Sequence, residues 1–97
     1  MSVLLSEIEI SKLGSSDLLS LEIVIKEYNQ YARGEDVMEI GFNTSTGYVY
    51  IALENGIQIA SCFGQSAEFI VYDQENGNEH FFEKYNDALD MQYKIWA

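Results

Sequence analysis

Residues 48–63 read Tyr48-Val49-Tyr50-Ile51-Ala52-Leu53-Glu54-Asn55-Gly56-Ile57-Gln58-Ile59-Ala60-Ser61-Cys62-Phe63. Two alternating β-rich runs flank an Asn-Gly pair. That pattern is the strongest short-range hairpin signal, because both central residues of the tight turn take positive φ, which Asn and Gly tolerate. The stretch predicts strands over 48–53 and 57–63. A two-residue loop at Asn55-Gly56 sets Leu53 opposite Gln58, Ile51 opposite Ala60 and Val49 opposite Cys62.

The period of two extends in both directions. Upstream, Met38, Ile40 and Phe42 alternate with Val37, Glu39 and Gly41, and a polar connection follows over 43–47. Downstream, Gly64-Gln65-Ser66 turns into a strand over 68–73. A second pair, Asn76-Gly77, turns into one over 79–82. At the ends of the chain the period lengthens. Ser16-Asp17 reads as a helix start with Ser16 as N-cap, and Leu18, Leu21, Ile25, Tyr28 and Ala32 recur at helical spacing up to Arg33-Gly34. Asn86 caps a last helix whose Leu89, Tyr93 and Trp96 share a face. Residues 3–12 are read as a short helix on Leu4, Leu5 and Ile8, although Ile8-Glu9-Ile10 also alternates like a strand. The 97 residues contain no Pro, and no linker or repeat interrupts them. The expectation is a single domain, 1–97, of class α+β: an N-terminal helix (or two), an antiparallel meander sheet of about five strands, and a C-terminal helix.

Carried through both hairpins, this parity divides the sheet into two faces. Val49, Ile51 and Leu53 share one with Gln58, Ala60, Cys62, Phe69, Val71, His80 and Phe82. The other holds Tyr48, Tyr50, Ile57, Ile59, Phe63, Ile70, Tyr72 and Phe81, with Glu54, Glu68, Glu79 and Glu83 around them. A sheet solvated on one side alternates apolar-in and polar-out. Two apolar faces require either helices on both or a second molecule on the aromatic one.

Charge supplies the other signal. The chain carries a formal −11, yet from Gly34 to Glu83 it contains no Lys or Arg and nine carboxylates. Residues 1–33 sum to −2 and residues 84–97 to zero. One-signed charge opposes compaction and steers basic partners toward itself, while phosphate backbones and anionic lipid repel it. Direct binding to nucleic acid or membrane is therefore not expected. Hydrophobic content of 47%, with five Phe, seven Tyr and one Trp, excludes a disordered acidic tail. No run reaches the ~18–20 apolar residues of a membrane span. The first residues show no secretory signal, and the lone Cys62 forms no internal disulfide, so the reading is cytoplasmic.

No catalytic constellation is visible. His80, between Glu79 and Phe81 on a strand, lacks a partner at catalytic or zinc-binding spacing. A Cys62–His80 nucleophilic pair on one sheet face would still need a third group. Asp73-Gln74-Glu75-Asn76-Gly77-Asn78-Glu79 resembles a calcium loop. However, its glycine falls at position five and strands flank it, so a hairpin explains it without metal. Asn43-Thr44-Ser45 matches a glycosylation sequon but reads as a loop. Gly64-Gln65-Ser66 lacks the second glycine of a nucleophile elbow. No enzyme, cofactor or metal is expected.

What remains is recognition. Tyr suits surfaces with one apolar and one wet side, and carboxylates on a rigid sheet can take the Lys and Arg that a nucleic-acid-handling protein presents to phosphates. The reading is a small acidic protein-binding inhibitor that occupies the basic surface of a nuclease or effector. Its partner-binding residues are Glu54, Glu68, Glu79, Glu83, Tyr48, Tyr50 and Tyr72. In size, charge and lack of motifs the chain resembles acidic inhibitors of the phage anti-CRISPR and anti-restriction type, and immunity proteins that neutralise nuclease toxins. No motif carries that resemblance residue by residue. The alternative is a small structural or assembly protein that forms a homodimer through the aromatic sheet face.

Overall fold

The computed structural model describes residues 14–43 and 46–96, so the short helix read over 3–12 lies outside the described residues. The fold is α+β. Helix α1 (Ser15–Tyr31) leads into strands β1 (Val37–Asn43), β2 (Tyr48–Leu53), β3 (Ile57–Cys62), β4 (Glu68–Asp73) and β5 (Asn78–Phe82), and helix α2 (Tyr85–Trp96) follows. The five strands form one antiparallel sheet in sequence order. Neighbours in the chain are neighbours in the sheet, so short turns suffice to connect them.

Both helices pack on the same face. Helix α1 crosses β2 and β3, and α2 lies along β3, β4 and β5. Between them, Leu21, Val24 and Tyr28 of α1 and Ala88 of α2 meet Val49, Ile51, Ile57, Ile59, Phe69 and Val71 of the sheet. Burying each such aliphatic stabilises by roughly 1.5–3 kcal/mol, which decides the direction the sheet faces.

The central hairpin forms, but with a different turn. Ile51 pairs with Ile59 and Tyr50 with Ala60, one residue away from the expected register. The loop is Glu54-Asn55-Gly56: the Gly56 N–H donates to the Leu53 carbonyl at 3.0 Å, and of the pair only Gly56 has positive φ, +91°. Asn55 is held by its own side chain. Its Oδ1 accepts the Ile57 N–H at 3.0 Å, while its Nδ2 donates to the Tyr85 hydroxyl at 2.9 Å. This contact with α2 accompanies a three-residue turn in place of the isolated two-residue preference. A one-residue change of register reverses a strand. Ile57 and Ile59 therefore face the core, and Gln58, Ala60 and Cys62 join the tyrosines, opposite to the expectation for β3 alone. The faces expected for β2, β4 and β5 stand.

A bulge corrects β1 in the same way. Val37 pairs with Leu53 and Glu39 with Ala52, which leaves Met38 as the extra residue, 70% exposed. Val37 then packs on the core with Ile40. Glu39, Gly41 and Asn43 fall on the face away from the helices, where they pair with Ala52, Tyr50 and Tyr48.

The helix ends also shift. Gly14, not Ser16, is the N-cap of α1, and its N–H donates to the Asp17 carboxylate at 3.2 Å. The helix stops at Tyr31 with Ala32 as C-cap, before Arg33-Gly34. Buried Tyr28 closes that end, donating to the Glu35 carbonyl at 2.8 Å. Helix α2 begins at Tyr85, one residue ahead of the expected cap Asn86. The Tyr85 ring packs edge-on against Phe69 at 5.7 Å. Asp73 caps the β4–β5 turn, its carboxylate accepting from the Glu75 and Asn76 backbone N–H groups and from Asn76 Nδ2. Residues 73–79 are a hairpin turn and its flanks.

Candidate functional site

Neither described helix touches the second face of the sheet. Along it lie Tyr48 and Tyr50 on β2, Gln58, Ala60 and Cys62 on β3, Glu68, Ile70 and Tyr72 on β4, and Glu79 and Phe81 on β5. Ala60 and Ile70 form a closed floor, 1% and 7% exposed. Around them Tyr48, Tyr50, Phe81 and Glu79 wall a groove of about 330 Å³. A continuation of about 270 Å³ runs past Gln58 and Tyr72 to Gly56. Tyr72 and Phe81, each 51% exposed, present apolar ring surface outward.

Electrostatics follow from this placement. Partial burial raises the Tyr48 phenol above its ordinary value, and its electrostatic interactions with Glu68, Cys62 and Glu79 raise it further. Tyr50 is raised first by burial, then by a hydrogen bond to the Glu39 carboxylate and by that group's charge. Both rings are neutral donors at physiological pH, and the carboxylates nearby have no cation among the described residues. No ion pair ties Glu39, Glu68 or Glu79 to Lys26, Arg33, Lys84 or Lys94, the basic residues among those described. Such a surface can accept hydrogen bonds and positive charge at its rim and apolar groups at its centre.

Of the residues read from the sequence, the structure brings together Tyr48, Tyr50, Tyr72, Glu68 and Glu79. Glu54 lies in the β2–β3 turn and Glu83 in the link between β5 and α2, both exposed and off the strands. Glu39 also belongs to the face: it alternates with Ile40 and Phe42 as the sequence pattern has it, but that pattern alone does not tie β1 to a face of the sheet, which the pairing with β2 does. Phe81 and Ile70 were legible from parity, and their place at the groove comes from the pairing of β4 with β5.

The catalytic pairing considered for Cys62 and His80 does not exist. Cys62 lies on the open face opposite Tyr48, whereas His80 shares the core face with its partner Val71. Among the described residues no group of three or more His, Cys, Asp or Glu side chains could hold a metal ion. No described helix is long and apolar enough to cross a membrane. No family model matches the chain, and no curated protein or solved structure matches it either.

Proposed function

We propose that this chain is a non-enzymatic binding protein whose open sheet face docks on a basic surface of another protein. The observation that carries the reading is the juxtaposition on one face, which neither described helix covers, of three tyrosines and Phe81 with the carboxylates Glu39, Glu68 and Glu79, none of which is ion-paired with a described base. The partner class suggested by this chemistry is a nuclease or nucleic-acid-binding effector, whose Lys and Arg normally meet phosphates. Glu39, Glu68 and Glu79 stand on β1, β4 and β5, spread round the rim of the face, where each can take a separate guanidinium or ammonium group. The face competes with the nucleic acid for those groups. Its rigid strands meet part of the ordering cost of binding before the partner arrives.

The exposed rings of Tyr72 and Phe81 favour one competing reading, a homodimer through the same face. Ionic strength separates the two. Docking on a basic partner through carboxylates weakens steeply as salt rises, whereas an apolar self-association does not. Sedimentation of the purified chain at low and high salt tests the proposal. A monomer in both supports it, and a salt-insensitive dimer replaces it with the second reading.

A further inference from the structure

Two Asn-Gly pairs stand in this chain, Asn55-Gly56 and Asn76-Gly77, and no other asparagine precedes a glycine. The pair is reactive as well as a turn former. Its glycine has no Cβ to crowd its own backbone nitrogen, so that nitrogen can close on the side-chain amide carbon of the asparagine before it. Both atoms belong to one chain, which makes the attack intramolecular. Asparagine is accordingly counted among the thermolabile residues. What the fold adds is a difference between the two pairs.

The first pair is locked. Asn55 is half-buried, with Oδ1 accepting the Ile57 N–H at 3.0 Å and Nδ2 donating to the Tyr85 hydroxyl at 2.9 Å. The nucleophile is committed too, since the Gly56 N–H donates to the Leu53 carbonyl at 3.0 Å. Freeing this pair means separating the β2–β3 turn from α2, whose Tyr85 is itself packed on Phe69. The second pair is open. Asn76 and Gly77 are both exposed, and beyond the chain neighbours no atom lies within 4 Å of where a Cβ on Gly77 would stand. Among the described residues the Gly77 N–H takes part in no turn hydrogen bond. One contact restrains the reacting amide: Asn76 Nδ2 donates to Asp73 Oδ2 at 2.7 Å, within the same exposed turn. Exposed turns with few buried contacts open locally without unfolding the core, so this contact yields while the sheet stays intact.

We infer that Asn76 is a site of spontaneous covalent modification, deamidation through a cyclic imide, and that the fold confines the reaction to the β4–β5 turn. The Gly77 nitrogen attacks Asn76 Cγ and forms a new C–N bond. The Cγ–Nδ2 bond breaks, and Nδ2 leaves as ammonia with the proton that Gly77 gives up. One water then adds to the imide. Opening at Cγ restores the peptide and leaves aspartate, whereas opening at the Asn76 backbone carbonyl leaves isoaspartate, with the chain running through the side chain. Amide and water have become acid and ammonia, and no electrons are exchanged. The product places a carboxylate beside Asp73 where a hydrogen bond stood, so like charges replace donor and acceptor. Isoaspartate also lengthens the backbone of the turn that joins Tyr72 and Glu79 of the open face. The modification stands independently of what that face binds.

The test is incubation of the purified, folded chain in mildly alkaline buffer made with heavy-oxygen water, followed by peptide mass spectrometry. The inference predicts first-order conversion at Asn76, one heavy oxygen incorporated per event, and isoaspartate alongside aspartate. Asn55 should convert at least several-fold more slowly in the folded chain. In denaturant the two pairs should convert at similar rates, because the lock on Asn55 is a property of the fold. Gly77→Asn keeps the turn, since Asn tolerates positive φ, and its Cβ should slow conversion of Asn76 several-fold. Equal rates at Asn55 and Asn76 in the folded chain would overturn the assignment. So would an intact Asn76 in the folded chain under conditions where the denatured chain converts, or undiminished conversion in G77N. None of these outcomes bears on the open-face reading, which uses neither Asn76 nor Gly77.

Discussion

The ring of Tyr50 lies over the bare backbone of Gly41 on the neighbouring strand: a Cβ at Gly41 would stand 2.5 Å from the Tyr50 hydroxyl oxygen and 2.6 Å from Cζ. An aromatic ring that covers a cross-strand glycine restores contacts the missing side chain would have made. The same placement holds the Tyr50 hydroxyl against Glu39, so this contact builds one wall of the open groove.

Gly41→Ala should therefore push the Tyr50 ring off its seat. Overpacking costs of about 1–3 kcal/mol apply, offset in part by the ~0.5–1 kcal/mol that Ala gains over Gly within a strand. The measurement is urea unfolding of G41A, Y50A and the double variant. Non-additivity is expected, with the alanine nearly harmless once the ring is gone. Additive effects would mean that the ring does not rest on Gly41.

A second expectation concerns Ser20, which is fully buried in the middle of α1. Its Oγ accepts the Gly64 N–H at 2.7 Å and so pins the β3–β4 connection to the helix. Ser20→Ala leaves that amide unsatisfied, at a cost of about 1–3 kcal/mol. Hydrogen exchange should show the Gly64 amide losing protection by far more than its neighbours in β3. Gly64→Ala should be at least as damaging, because Gly64 sits at φ +73° and its Cβ would meet Leu19 Cδ2 at 2.7 Å.

The phenols predict a pH dependence. Burial, reinforced by nearby carboxylates, raises Tyr48 and Tyr50 above the ordinary value. The folded chain thus holds these protons more tightly than the unfolded one. That stability is complete below about pH 10, where free tyrosine titrates, and it is lost as pH rises through the folded values. Phenolate absorbance of the native protein should show these tyrosines titrating late. Glu39→Gln should bring Tyr50 down part of the way, since burial remains its larger cause. Simultaneous titration of all seven tyrosines at the free value would contradict the packing of the face.

How much of this was legible in the sequence differs from element to element. The alternation of β2 and β4, the hairpin signals and the helical spacing of Leu21, Tyr28 and Leu89 report burial directly. They placed the elements and the faces of most strands. Two single-residue events were not legible. The extra residue in the Glu54-Asn55-Gly56 turn accompanies the Asn55–Tyr85 hydrogen bond, whose partner lies 30 positions away along the chain. The Met38 bulge depends on which of Val37 and Met38 the core accepts. The first reverses β3, which is why Ile57 and Ile59 were set on the wrong face, and the second brings Val37 to the core beside Ile40; Glu39 was missed because the alternation of β1 does not by itself say which face it shares with β2. Glu54 and Glu83 were grouped with the site by parity, although both lie just past the strand ends, where parity no longer holds.

The central claim, that the open face and not the helical side meets a basic partner, is tested most directly by comparative capture from host lysate. Three baits are needed: the unaltered chain, an open-face variant (Glu39→Lys, Glu68→Lys, Glu79→Lys, Tyr72→Ala) and a helix-side variant (Glu22→Lys, Glu27→Lys, Asp87→Lys). Truncating an anchoring ring costs about 2 kcal/mol or more, and reversing charges that meet a basic surface adds repulsion. The account predicts that the unaltered and helix-side baits retain the same basic protein, that high salt releases it, and that the open-face variant retains none. Retention by the open-face variant, with loss from the helix-side variant, would contradict it.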